Sequence, residues 1–261
     1  QASACDGGRG RDGSGSLSLK RARCACHDGP MITLFQPPPV WGASSMSPFC
    51  IKLEVLLKMG SVAYESKPAD MRRAPKGKIP YVRWEDGALM GDSQLILQRL
   101  RESNASLRDT HLTEHERATG HAVRRMIEEA TYFAGLHVRW LRDASWPTTQ
   151  AAFKKILPAP IALFLPLIRS NVRKSARAQG TARHDEKTID DMACADWSSV
   201  AAIMGDKKFL LGDQPSTVDA TVFAFLESTL CFPIESPIAA HIKKQPNLVA
   251  FHARMKAQFF G

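Results

Sequence analysis

Residues 77–100, "GKIPYVRWEDGALMGDSQLILQRL", decide the fold, because strand, turn, strand and helix signals follow one another here without a gap. The run "PYVRWED", Pro80 to Asp86, has the aromatic and β-branched content of a short strand. Asp86-Gly87 is a hairpin turn pair, and "ALMG", Ala88 to Gly91, supplies the returning strand. Asp92 is then placed to cap a helix running to about Glu102. The Ile79-Pro80 bond is either cis, a geometry almost confined to X-Pro bonds, or an ordinary trans proline opening a strand. Asp92-Ser93 also has two readings: plain capping, or an anion site, since free N–H groups and the dipole at a helix start favour negative charge.

Working upstream, "MITLF" from Met31 reads as a strand and "QPPPVWGASSM" as a proline-rich loop. A helix follows from Pro48 to about Met59, with Phe49, Leu53, Leu56 and Leu57 on one face. Ser47 takes its N-cap position and Pro48 its first turn. "VAYES" gives a second strand, and the connection "KPADMRRAPKGKI" leads into the quoted stretch. The order strand, helix, strand, then strand, turn, strand, helix is an α/β unit too small to be a whole enzyme. Residues 1–30 are rich in Gly, Ser, Arg and Asp, so they read as a disordered N-terminal extension without the apolar core of a signal peptide. Cys24, Cys26 and His27 lack a second ligand pair at zinc-site spacing.

Downstream the pattern becomes helical. Thr113 and Glu116 form a capping box opening a long helix, with Val123, Met126, Ile127, Ala130, Ala134 and Leu141 along one stripe. That cap leaves His111 outside the helix, so "HLTEH" does not put His111 and His115 on the shared face a metal needs. The segment "APIALFLPLIRSNVRKSARAQ" is broken by prolines; its apolar part is expected to pack in the core, with an anionic membrane surface as the other fate of an apolar run beside a basic helix. A helix from about Asp185 to Met204 precedes "KKFLLGDQPSTVDATVFAFLESTL", a nearly all-apolar helix that Ser216 and Asp219 can cap reciprocally. Two shorter helices end the chain.

The formal charge of +9 would favour anionic partners if it clustered; Arg169, Arg173, Lys174, Arg177 and Arg183 are its densest group, read as a solvated helix face with no nucleic-acid motif. Six cysteines in 261 residues do not make a disulfide scaffold, and Cys50, Cys194 and Cys231 sit in apolar patterns where reduced, buried thiols are expected. The longest apolar run, Ile156 to Ile168, is too short to span a bilayer.

Two motifs carry a family resemblance. "GKIPYVRWEDGALMGDSQLILQRL" resembles the heart of the thioredoxin-like half of the glutathione transferases, and "LLGDQPSTVDATVFAFL", Leu210 to Leu226, resembles the hallmark of their helical half. The "SPF" helix start, the "PKGKxPY" turn and the proline-broken segment look most like the metaxin-like and failed-axon-connections-like branch. The resemblance implies an α/β plus all-α fold: a thioredoxin-like βαβ-ββα domain over 31–108 and an all-helical transferase domain over 109–261. It implies a cis Ile79-Pro80 bond turning the Ile79 backbone toward the glutathione cysteinyl group, Ser93 holding the γ-glutamyl carboxylate, and Asp92 near the amino group.

Ser47 falls where glutaredoxins keep their first cysteine and Cys50 on the second, so dithiol exchange through this pair is disfavoured. In serine-type transferases a hydroxyl near this helix start bonds the glutathione sulfur and lowers its pKa. Ser47, Ser45 and Ser44 are the candidates, with simple capping the other role for Ser47. Lys78, with Arg72, Arg73 and Lys76, is a candidate for the glycine carboxylate. Tyr132, Phe133, His137 and Trp140 are candidates to line a site for a small hydrophobic electrophile. The expectation is a cytoplasmic glutathione-transferring enzyme without metal or nucleic acid, with homodimerisation and peripheral membrane contact as further expectations; the rival is a non-catalytic scaffold.

Overall fold

A computed structural model describes residues 32–157 and 159–261, so the expected disordered extension, including Cys24, Cys26 and His27, lies outside the described residues. The first half is a four-stranded mixed sheet in the order β2-β1-β3-β4: β1 is Ile32–Gln36, β2 Tyr64–Pro68, β3 Tyr81–Arg83 and β4 Leu89–Gly91. β1 pairs parallel with β2 and antiparallel with β3, and β3 runs antiparallel to β4. The parallel β1–β2 pair needs a crossover, supplied by α1 (Pro48–Met59). Helix α2 (Ser93–Ser103) follows β4. Between β2 and β3 only a single 3₁₀ turn, Pro75–Gly77, takes the place of a helix. This is the thioredoxin-like unit expected from the sequence, and the helical half follows it.

The helical half comprises α3 (Glu114–Met126), α4 (Tyr132–Leu136), α5 (Trp146–Ile156), α6 (Ala159–Ala162), α7 (Leu165–Gln179), α8 (Glu186–Met204), α9 (Thr217–Leu230), α10 (Pro237–Lys243) and α11 (Pro246–Phe260). Both predicted capping boxes are in place. Thr113 N–H donates to Glu116 at 2.7 Å, and Ser216 N–H to Asp219 at 2.8 Å. Asp219 is fully buried and also accepts from the Leu210 N–H at 2.8 Å, tying the preceding loop to the start of α9. Burial pushes its carboxyl up to about 6 against the pull of those bonds. α1 and α9 are buried nearly all round and lie along each other, so the core runs from the sheet through α1 into the bundle without a break.

Three expectations fail for physical reasons. The long helix after Thr113 contains two π-helical turns, Ile127–Thr131 and His137–Leu141; each wider turn resets the face presented, so Ala130 is exposed while Glu128 turns inward. The proline-broken segment is not core: Leu163 is 80% exposed, with Ile161, Phe164 and Leu167 also open, and only Leu165 inserts. Of the three described thiols, all free, Cys50 alone is fully buried; Cys194 and Cys231 are half-exposed on the margins of α8 and α9. No described helix is long and apolar enough to cross a membrane.

Candidate functional site

The sheet register gathers the candidate loops at one edge. Phe35, near the end of β1, pairs with Tyr81 at the start of β3, and Tyr81 in turn pairs with Gly91 at the end of β4. The loop after β1, the loop before β3 and the turn after β4 therefore emerge side by side, bringing the 44–47 serines, Lys78-Ile79-Pro80 and Asp92-Ser93 to the same end of the sheet. The Ile79-Pro80 bond is cis. Gly91 is packed so closely under the loop that an added Cβ would lie 3.2 Å from the Pro75 carbonyl. Lys78, Lys76, Arg72 and Arg73 are exposed on that loop, Arg72 held by Asp70 at 3.1 Å.

The three serines part company. Ser45 is buried and donates to the Pro37 carbonyl at 3.4 Å, while accepting from the Ser47 N–H at the same distance. The Ser44 hydroxyl oxygen is buried without a partner among the described residues and lines a cavity of about 300 Å³ with Glu227 and Lys256, against α9 and α11. Ser47 occupies the N-cap position of α1, yet its hydroxyl makes no capping bond, contrary to the capping expectation. The Cys50 thiol, one turn further along α1, is pushed up to about 12 by complete burial, against the smaller opposing pull of the Ser47 and Ser45 hydroxyls. A thiol so protonated is a packing group.

At the other helix start, Asp92 sits at φ 77° and accepts from the N–H groups of Gln94 and Leu95 at 2.9 and 3.2 Å. Its carboxylate thus caps α2, and Ser93 beside it is buried at the first helical position. A link joins the two helix starts: Lys52 of α1 donates to the Gln94 side chain at 3.2 Å.

The fold and these motifs agree with sequence comparisons. The family description "Glutathione S-transferase N-terminal domain" matches residues 48–145, and "Glutathione S-transferase, C-terminal domain" matches residues 193–255. The chain belongs to the glutathione S-transferase family. It is 28% identical over 239 residues to an isoprene-epoxide–glutathione S-transferase of Rhodococcus sp. strain AD45, covering 88% of this chain and 99% of that protein. It is 26% identical to Failed axon connections of Drosophila melanogaster, covering 83% and 55%, and 28% identical to a metaxin-1 homolog of Caenorhabditis briggsae, covering 69% and 58%. The chain thus spans little more than half the length of these last two. A glutathione S-transferase of Methylobacillus flagellatus solved with glutathione bound shares the fold at TM-score 0.56 and 14% identity, covering 87% of this chain and 96% of that one. The expected cytoplasmic location is corrected here: kinship with Failed axon connections and metaxin-1 conflicts with a purely cytoplasmic assignment.

In this transferase-family chain the helical half reaches into the candidate site with residues that the sequence reading missed. Arg139, on the second π turn, is half-buried; it donates to the Met46 carbonyl at 2.8 Å and to the Ser228 backbone and hydroxyl, clamping the residue just before Ser47 to α9. Burial holds its guanidinium down at about 10. Lys52, 0% exposed, meets Glu128 at 2.6 Å, and Glu128 also accepts from Arg124 at 2.9 Å and from Thr221 at 3.3 Å. The available signal for Lys52 was a lysine inside the otherwise apolar "PFCIKLEVLL", where burial demands a partner.

The residues expected to line an electrophile site are split. Tyr132 packs edge-on to Phe49 at 5.1 Å and stands beside Phe133 and Phe225, forming an apolar wall at the start of α1. His137 is buried near Arg142, Glu186 and Asp190, its imidazole held below its ordinary pKa by desolvation. Trp140 packs at a tilt against Trp146 and Phe153 of α5. The second π turn carries both away from the Phe49 wall.

Proposed function

We propose that this chain binds glutathione at the sheet edge and transfers its thiolate to a small apolar electrophile. The observation that carries the reading is Ser47: it stands at a helix start beside the other candidate loops, and its hydroxyl is not committed to capping. A hydroxyl there donates to the glutathione sulfur, and the positive end of α1 adds to the stabilisation of the thiolate, the nucleophilic form. Ser93, at the start of α2, receives the γ-glutamyl carboxylate, and the Asp92 carboxylate that caps the same helix takes the ammonium group. Ile79 and Pro80 present backbone to the cysteinyl unit, and Lys78 takes the glycine carboxylate. The sulfur then bonds to an electrophilic carbon held against Phe49, Tyr132 and Phe133, and the leaving atom takes the electron pair of the bond that breaks.

A second reading, a scaffold of metaxin type without chemistry, is favoured by the kinship with metaxin-1 and by the burial of Ser45 and of the Ser44 hydroxyl. One experiment separates the two. Thermal melts with and without reduced glutathione are run on the wild type and Ser93→Ala, beside an epoxide-conjugation assay of the wild type and Ser47→Ala. At about a hundred times its dissociation constant glutathione adds roughly 2.7 kcal/mol of stability. The transferase reading expects that rise in the wild type, its reduction in Ser93→Ala, and a loss of about 100-fold in kcat/KM in Ser47→Ala, on the scale of removing one catalytic hydrogen-bond donor. A wild-type melt that does not move at saturating glutathione leaves the scaffold.

A further inference from the structure

The turn between α6 and α7 leaves four large apolar side chains together in the open: Leu163 at 80%, Phe164 at 59%, Leu167 at 57% and Ile161 at 47% exposure. Neighbouring Pro160 and Pro166 are exposed as well. The charge around this tip is one-sided. From Ala144 to His184 the chain contains no Asp or Glu and seven basic residues, Lys154, Lys155, Arg169, Arg173, Lys174, Arg177 and Arg183, a large share of its formal charge of +9.

Two of these are tied down: Arg183 donates to the Arg177 carbonyl at 2.8 Å, and Arg169 is held at the base of the tip. It donates to the Trp140 and Leu141 carbonyls at 2.7 and 2.9 Å, meets Asp143 at 2.8 Å and covers the Trp146 ring at 4.8 Å. Buried Leu165 anchors the same end of α7. The tip is therefore held outward by its own base. Lys154 and Lys155 at the end of α5, and Arg173, Lys174 and Arg177 along α7, stay exposed around it.

We propose that this tip docks on an anionic lipid bilayer, Leu163, Phe164 and Leu167 entering the acyl boundary while the exposed lysines and arginines meet phosphate headgroups. The pairing of an apolar wedge with a cationic collar is what an interface between water and anionic lipid complements. A second copy of the chain fits it poorly, because a two-fold contact across the tip would set these cations against themselves. A polyanion alone would leave the apolar side chains with nothing to cover them.

The test is flotation of the whole chain with vesicles of phosphatidylcholine alone, or with about one part in three phosphatidylserine. Three variants go alongside: Leu163→Ser with Phe164→Ser; Arg173→Glu with Lys174→Glu; and, as a charge-matched control away from the tip, Lys207→Glu with Lys208→Glu. The proposal expects binding to the anionic vesicles only, weakened at least about tenfold by either tip variant and left intact by the control. It also expects release as salt rises from about 0.05 to 0.5 M. Since both serine substitutions fall on exposed positions, circular dichroism should find those proteins folded. Absence of anionic-vesicle binding overturns the proposal. So does binding that the control weakens equally, or that the serine variant leaves intact, since either is adsorption of a basic protein. So too does a concentration-dependent dimer in sedimentation that the serine variant abolishes.

Discussion

Replacing Glu128 with glutamine should destabilise the fold by about 3 kcal/mol, whereas replacing Lys52 with methionine should cost about 1–2 kcal/mol. The asymmetry follows from who is left behind. Without its carboxylate partner, the Lys52 ammonium is wholly buried with only the neutral Gln94 oxygen at 3.2 Å and an amide in place of the ion. Removing one partner of a buried pair costs about 3–5 kcal/mol, and the retained amide acceptors put this case at the lower end. Without Lys52, Glu128 still holds Arg124 at 2.9 Å and Thr221 at 3.3 Å, and methionine fills the space of the lysine stem. The Glu128→Gln penalty should also shrink as pH rises. Burial lowers the Lys52 pKa, with Glu128 opposing that shift, so removing the carboxylate lowers it further. Between the lowered folded value and the ordinary unfolded one, the unfolded chain binds more protons, so stability rises with pH in that window. Urea titrations of the three proteins at about pH 7 and pH 9.5, followed by tryptophan emission, measure both effects. A Lys52→Met cost equal to or above that of Glu128→Gln, or a Glu128→Gln penalty unchanged by pH, would refute the reasoning.

Arg139→Met should remove the clamp on the Met46 carbonyl and cost about 2–4 kcal/mol, because both that carbonyl and Ser228 lose a charged donor; urea titration reads the loss. If Ser47 performs the proposed chemistry, the same variant should also lower kcat/KM for conjugation even where it remains folded. In native protein at about pH 8, peptide mapping after iodoacetamide should find Cys50 unlabelled, its thiol lying at about 12 and enclosed, and Cys194 labelled before it; labelled Cys50 without unfolding would contradict the packing role. Asp219→Ala should cost about 2–4 kcal/mol in chemical denaturation, since it strands the buried N–H groups of Leu210 and Ser216; a change below about 0.5 kcal/mol would count against the cap as a stabilising element.

Features set by neighbours in sequence were legible. The Asp86-Gly87 hairpin, the Thr113–Glu116 and Ser216–Asp219 boxes and the bounds of α1 each depend on residues within one turn, so composition and spacing suffice to read them. Lys52 meets Glu128 across 76 positions and Arg139 meets Met46 across 93, and no local pattern pairs them. The π turns escaped because a periodicity of 3.6 assumes the very regularity that they break. Ser47 does take the N-cap position that serine statistics predict, but its hydroxyl makes no capping bond, a side-chain choice that composition and spacing do not report.

The same long-range contacts explain how a loop with three prolines and a turn of two positive-φ residues, Trp41 and Gly42, can hold a functional group in place. Loop residues 37–47 have no ladder of their own beyond the Val40–Ala43 bridge, so their conformation must be imposed from outside. Arg139 imposes it from the helical half at Met46, and Lys52 with Glu128 fixes the first turns of α1 to the long helix and to α2. Phe49 closes the arrangement by packing on Tyr132 and Phe225. Each tie is buried or half-buried, so loosening one exposes a polar group or an aromatic face rather than simply freeing a loop. The position of Ser47 is thus coupled to the packing of α1 on the bundle, and a substitution in that packing far from the sheet edge will be felt at the serine as well as in stability.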